Sequence, residues 1–153
     1  MNYPDINIFK NIIVSPHDLY HVTNNKIEIL NESFLGKKTF NHNNSALGFW
    51  CSTVPMYYKN FGVRCYKVIL KNQEINKKCW IYEDFREYCF SAVFSREDYI
   101  NLRNYLIEEG IDLLYIYDRN GFVNEVIIIN YDCVSSLEST DFPDNKLIPL
   151  KVI

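Results

Sequence analysis

The sequence is poor in the residues from which most enzyme signatures are built. Histidine occurs only at 17, 21 and 42, too little for an HExxH helix or a three-histidine site, so metal catalysis is disfavoured. The glycines stand far apart, at 36, 48, 62, 110 and 121. Neither a GxGxxG turn nor a GxxxxGK[ST] loop is present, which removes the Rossmann and P-loop readings. Cysteines at 51, 65, 79, 89 and 133 are odd in number and form no CxxC pair, so packed, reduced thiols are expected rather than zinc ligands or a disulfide framework. No apolar run approaches the roughly 18 residues of a membrane span. The opening MNYPDINIFK lacks the basic and apolar regions of a signal peptide, and a soluble, cytoplasmic protein with no membrane partner is expected. Charge of one sign is also missing: 16 basic residues face 19 acidic ones for a net charge of -3. A general electrostatic nucleic-acid binder is disfavoured, while a local basic patch stays open.

What the chain does contain is asparagine, isoleucine and tyrosine, 18, 18 and 12 of its 153 residues, against two alanines. Aromatic and β-branched side chains fit a pleated surface better than a crowded helix, so the composition favours β-rich structure. The length supports one core, and residues 1–153 are read as a single domain.

Along the chain, residues 18–23 (DLYHVT) read as a strand closed by the Asn24-Asn25 turn signal, with His21 near its end. Residues 26–44 are irregular and read as a surface loop. A second strand is expected over 47–53, with Ser52 or Thr53 positioned to cap a helix that carries Pro55 in its first turn and stops at Gly62. Residues 63–71, 79–82 and 88–94 read as further strands. The clearest helix is 96–109, with Ser95 as N-cap, Asp98 three residues on, Tyr99, Leu102 and Leu106 on one face, and Gly110 beyond its end. Residues 111–117 and 124–131 flank Asn120-Gly121 as a hairpin, and 147–153 is an edge strand or docked tail.

Two polar residues sit in informative places. Glu125 opens the apolar run Val126-Ile127-Ile128-Ile129, as either a solvent-facing first residue or an acid held by a rigid strand. His21 is open to the same pair of readings. Trp50, Tyr57, Tyr58 and Phe61 would ordinarily be core.

Taken in order, Tyr20-His21-Val22-Thr23, then Gly48-Phe49-Trp50-Cys51-Ser52-Thr53, then Gly110-Ile111-Asp112 and Glu125-Val126-Ile127-Ile128-Ile129 resemble the motifs of the ADP-ribosyltransferase family. The branch is the one with a His, Tyr, Glu signature, shared by diphtheria-type toxins, poly-ADP-ribose polymerases and small prokaryotic and phage members. The likeness runs from about residue 18 to residue 138. Val22 stands where the family has glycine, and Trp50 where it has the nicotinamide-stacking tyrosine; a Trp keeps the flat π-face and loses the hydroxyl. Val123 stands where arginine-directed members carry Glu or Gln, so arginine modification is not implied.

The resemblance implies an α+β fold, a split β-sandwich of two small sheets with flanking helices and a cleft between the sheets. It implies a transferase that uses NAD as substrate, without a metal, and passes ADP-ribose to a macromolecular acceptor, a protein rather than a nucleic acid in the first instance. Glu125 would be catalytic. His21 with Thr23 would hold the adenosine-side ribose, Trp50 would stack on nicotinamide with Ser52 beside it, and one of Tyr57, Tyr58 or Phe61 would close the other face. Residues 26–44 and 73–87 would flank the cleft and select the target. The alternatives are a catalytically degenerate binding or inhibitory module on the same fold, an NAD glycohydrolase in which water replaces the acceptor, and an unrelated β-rich domain in which His21, Trp50 and Glu125 do not converge.

Overall fold

The computed structural model describes residues 3–11, 17–27, 30, 43–143 and 150–152. His42 and most of the expected 26–44 loop lie outside them, as do 144–149 of the C-terminal segment. In chain order the elements are β1 (Lys10–Asn11), β2 (Leu19–Thr23), β3 (Phe49–Cys51), β4 (Arg64–Leu70), β5 (Lys77–Ile81), α1 (Tyr82–Cys89), α2 (Arg96–Glu108), β6 (Leu113–Tyr117), β7 (Phe122–Ile128), β8 (Val134–Thr140) and β9 (Leu150–Lys151). The class is mixed α+β. Among the described residues no helix is long and apolar enough to cross a membrane.

The strands form two sheets. The larger runs β1-β5-β6-β7-β3, with β9 also paired to β7, and the smaller runs β2-β4-β8. All pairs are antiparallel except β5 with β6, and the crossover that a parallel pair needs is supplied by α1 and α2. One core cluster fills the space between the sheets, with Phe49, Tyr66, Tyr115, Val126 and Ile128 among its members. A second, with Trp80, Phe85, Leu102, Leu106 and Ile127, lies where the helices cover the larger sheet. Because β6 and β7 face a layer on each side, they read as continuous apolar runs, and their residues still divide between the two clusters with period two.

The 96–109 helix is present as α2, with the reciprocal Ser95 and Asp98 capping box and with Tyr99, Leu102 and Leu106 buried. The 118–121 hairpin is present as well. Asp118 accepts from the backbone N–H groups of Asn120 and Phe122.

Two expectations fail. The strand expected over 88–94 is instead the end of α1 and the turn after it. Glu83 and Asp84 lie in the first turn of α1, while Phe85 and Cys89 come together at i, i+4 as its buried face; this helical spacing outweighs the aromatic β-propensity of the segment. The helix expected after residue 53 is a 3-10 segment, Pro55–Phe61, with Tyr58 off helical geometry and Val54, not Ser52 or Thr53, at its N-cap. The Ser52 hydroxyl oxygen accepts from Val54 N–H instead. β8 was not anticipated. Its VSSLEST sequence reads as polar, and its place is fixed by pairing with β4, as in Cys65 against Thr140.

Candidate active site

Glu125 and Trp50 are placed by the pairing of β3 with β7. Trp50 lies opposite Ile127 and Cys51 opposite Val126, so Glu125 falls two positions beyond Trp50's partner on the same, helix-facing side of the sheet. Such diagonal neighbours stand roughly 7 to 8 Å apart. Pairing between β6 and β7 passes from Ile116 with Glu125 to Tyr117 with Val123, leaving Asn124 as a bulge next to the carboxylate. A bulge of this kind re-aims the neighbouring side chain and ends the regular ladder.

His21 comes from the other sheet. A single bridge joins Tyr20 to Ser52, with backbone hydrogen bonds of 2.8 Å in both directions, and draws β2 against the end of β3. His21 then stacks on Phe49 at 3.9 Å between ring centroids, and its Nδ1 lies 2.6 Å from the Trp50 carbonyl oxygen. A carbonyl only accepts, so Nδ1 carries the proton. Burial pushes the His21 pKa down to about 4, against the partly opposing hydrogen bond to Trp50. The imidazole is therefore neutral near pH 7, with Nε2 as a lone-pair acceptor.

The 3-10 segment supplies the remaining wall. Tyr58 donates its hydroxyl to Glu125 Oε1 at 3.4 Å. Burial raises the pKa of Glu125, and the Tyr58 hydrogen bond opposes that rise. The Tyr58 hydroxyl is itself raised by burial and by the neighbouring Glu125 charge, which keeps it a neutral donor. Gly62 closes the segment at a point of close approach: a Cβ there would collide with the Thr23 carbonyl group and the Asn24 nitrogen. Gly48, ahead of β3, is pressed in the same way against the Ile128 carbonyl.

These elements enclose a cleft of about 620 Å³, within the usual range for small-molecule sites. His21, Thr23, Trp50, Ser52, Tyr58, Phe61 and Glu125 all line it. Tyr57 does not line it and is 61% exposed. Thr23 and Ser52 are buried, and each hydroxyl oxygen is engaged locally, by the N–H groups of Asn25 and Val54. Trp50 is half-buried, with its indole N–H on the Asn44 carbonyl. Among the described residues no group of three His, Cys, Asp or Glu could hold a metal ion, and the five cysteines are free and buried.

Several wall residues were not singled out from the sequence. Phe49 is the floor under His21, and Tyr131 lies against Phe49 at 6.3 Å with the Arg103 guanidinium 5.1 Å from its own ring centroid. Phe90, Val93 and Phe94 also line the cleft. The flanking role expected of residues 73–87 thus falls just after them, at the end of α1, and from the 26–44 loop Ile27, Asn43 and Asn44 contribute. Alternation around Trp50 was the available signal for Phe49; the others depend on the tertiary fold. The site combines a carboxylate, a phenol donor, a neutral imidazole acceptor and several flat aromatic faces. Such a set can hold a planar ring and sugar hydroxyls and can stabilise positive charge beside Glu125. No protein-family model matches the sequence, and no curated protein or solved structure matches it.

Proposed function

We propose that this protein is an NAD-dependent ADP-ribosyltransferase, built as the split β-sandwich of that family. The observation that carries the reading is the convergence of His21, Trp50, Tyr58 and Glu125, which come from both sheets and the 3-10 segment, on one cleft. The order of motifs in the sequence and the division into two small sheets with helices on one face agree with it.

In this reading the bond between ribose C1′ and the nicotinamide nitrogen breaks. Nicotinamide leaves as a neutral molecule with the bonding electron pair, so a strong general acid is not required. An acceptor nucleophile forms the new bond to C1′ and gives up its proton. The demand on the protein is to favour positive charge growing on the ribose. Glu125 answers it as a carboxylate accepting from the ribose 2′-hydroxyl, and Tyr58 holds that carboxylate in place. His21 accepts a hydroxyl of the adenosine-side ribose through Nε2, with Thr23 shaping the turn beside it. Trp50 offers its face to nicotinamide, and Tyr58 and Phe61 form the facing wall.

The test is incubation of the pure protein with NAD and a lysate, following nicotinamide and labelled ADP-ribose, beside Glu125→Gln. Release with label on a macromolecule, lost in the variant, supports transfer. Release without label would indicate hydrolysis. No release from folded protein that binds NAD would overturn the reading in favour of a degenerate binding module.

A further inference from the structure

Tyr57 was expected in the nucleotide site, and the structure leaves it outside, 61% exposed on the outer side of the 3-10 segment. Its surroundings have a consistent chemistry. Phe61 at 41% and Val63 at 81% are exposed apolar side chains on the same short stretch, and Lys59, Asn60 and Arg64 are exposed between and beside them. Gly62 packs on the backbone of Thr23 and Asn24, and Val63 N–H donates to Asn24 Oδ1 at 3.0 Å. The exposed Asn24, Asn25 and Lys26 therefore belong to the same rim. Lys59 lies over the Phe142 ring at 5.6 Å, which brings Asp141 to the same end of the smaller sheet. Phe61 and Asn25 also line the cleft, so the rim borders the place where an acceptor would enter.

Exposed aromatic faces interleaved with cations and carboxamides are the elements of a single-strand nucleic-acid surface: bases stack on the rings, phosphates meet the cations, and amides reach base edges. An acidic peptide would use the cations and make no use of the exposed Tyr57 ring. We infer that this rim binds single-stranded nucleic acid, and that such a strand is the acceptor in the transfer. The acceptor role rests on the transferase reading; the binding surface does not.

The experiment uses the full chain and a fluorescent single-stranded oligonucleotide of about 12 nucleotides, within the span of comparable sites, with anisotropy read over a range of salt and no NAD present. Binding is expected, weakened about five- to a hundredfold by Tyr57→Ala, the usual effect of removing a stacking ring. The pair Lys59→Gln and Arg64→Gln should flatten the dependence of log affinity on log salt by about 1.4, for two lost phosphate contacts. That double variant should release nicotinamide from NAD at the unaltered rate. Absence of binding, binding indifferent to these changes, or equal binding of polyglutamate would overturn the surface. With NAD added, label on the oligonucleotide supports the acceptor role, and label only on polypeptide overturns it. Failure to cleave NAD by a protein that still binds the strand would overturn the transferase reading and the acceptor role while leaving the surface standing.

Discussion

The Nδ1 of His21 and the carbonyl oxygen of Trp50, 2.6 Å apart, form a hydrogen bond that crosses from the smaller sheet to the larger. It sets the tautomer of the histidine and fixes which nitrogen can meet a ligand. Replacing His21 by Gln removes the ring stacked on Phe49 and the fixed acceptor. The expected outcome is a KM for NAD raised about tenfold or more with a smaller change in kcat, read from initial rates, because an interaction made in the ground and transition states alike governs binding.

The same histidine shapes acid stability. Its pKa is near 6.5 in the unfolded chain and about 4 in the folded one. As pH falls through that window the unfolded state takes up a proton and the folded state does not, so stability declines. Chemical denaturation from pH 7 to pH 4 should show a smaller decline for His21→Gln than for the parent protein. An equal decline in both would contradict burial of the neutral imidazole.

Glu125 works in the opposite sense. Burial raises its pKa, so its contribution favours the fold below the ordinary carboxylate pKa and is lost as pH rises through the raised value. Glu125→Gln, which keeps an acceptor for Tyr58 and removes the ionisation, should have a higher Tm at neutral pH and nicotinamide release lower by on the order of a hundredfold or more. Scanning calorimetry and a nicotinamide assay read the two effects separately.

Tyr58 tunes that carboxylate. Its hydrogen bond to Glu125 lowers the carboxyl pKa against the effect of burial. Tyr58→Phe keeps the ring, and the acid limb of kcat/KM should move to higher pH as Glu125 becomes easier to protonate. An unmoved limb would mean that another group sets it.

Gly62→Ala forces a methyl group into the Thr23 backbone. Neither side can give way cheaply, and a loss of about 1 to 3 kcal/mol is expected, or roughly 2 to 10 °C in Tm for a chain of this size. Ser95→Ala, at the capping box and not itself lining the cleft, should lower stability by about 1 kcal/mol and leave nicotinamide release intact.

Local signals made α2, β2, β4 and the β6–β7 hairpin legible, because each carries its own periodicity, cap or turn. α1 was misread where aromatic content competed with an i, i+4 pattern only two residues long, Phe85 and Cys89. β8 was invisible since its partner β4 is distant in sequence and its own residues are largely polar. The order of motifs was enough to nominate His21, Trp50 and Glu125. It could not separate Tyr57 from Tyr58, because that choice follows from the break in helical geometry at Tyr58 within the 3-10 segment. Tyr58 and Phe61 come together with ring centroids 5.7 Å apart, and Tyr57 is left exposed.

The Tyr20 to Ser52 bridge has a bearing on motion. Among the described residues it is the single isolated main-chain link between the sheets, and it lies beside His21 and Trp50. Both of its N–H groups are bonded across the gap, so they can exchange only when the two sheets part at the cleft. The amide protons of Tyr20 and Ser52 are thus natural reporters of cleft opening in hydrogen exchange. A ligand that spans both sheets should slow their exchange more than that of amides at the opposite end of the sandwich.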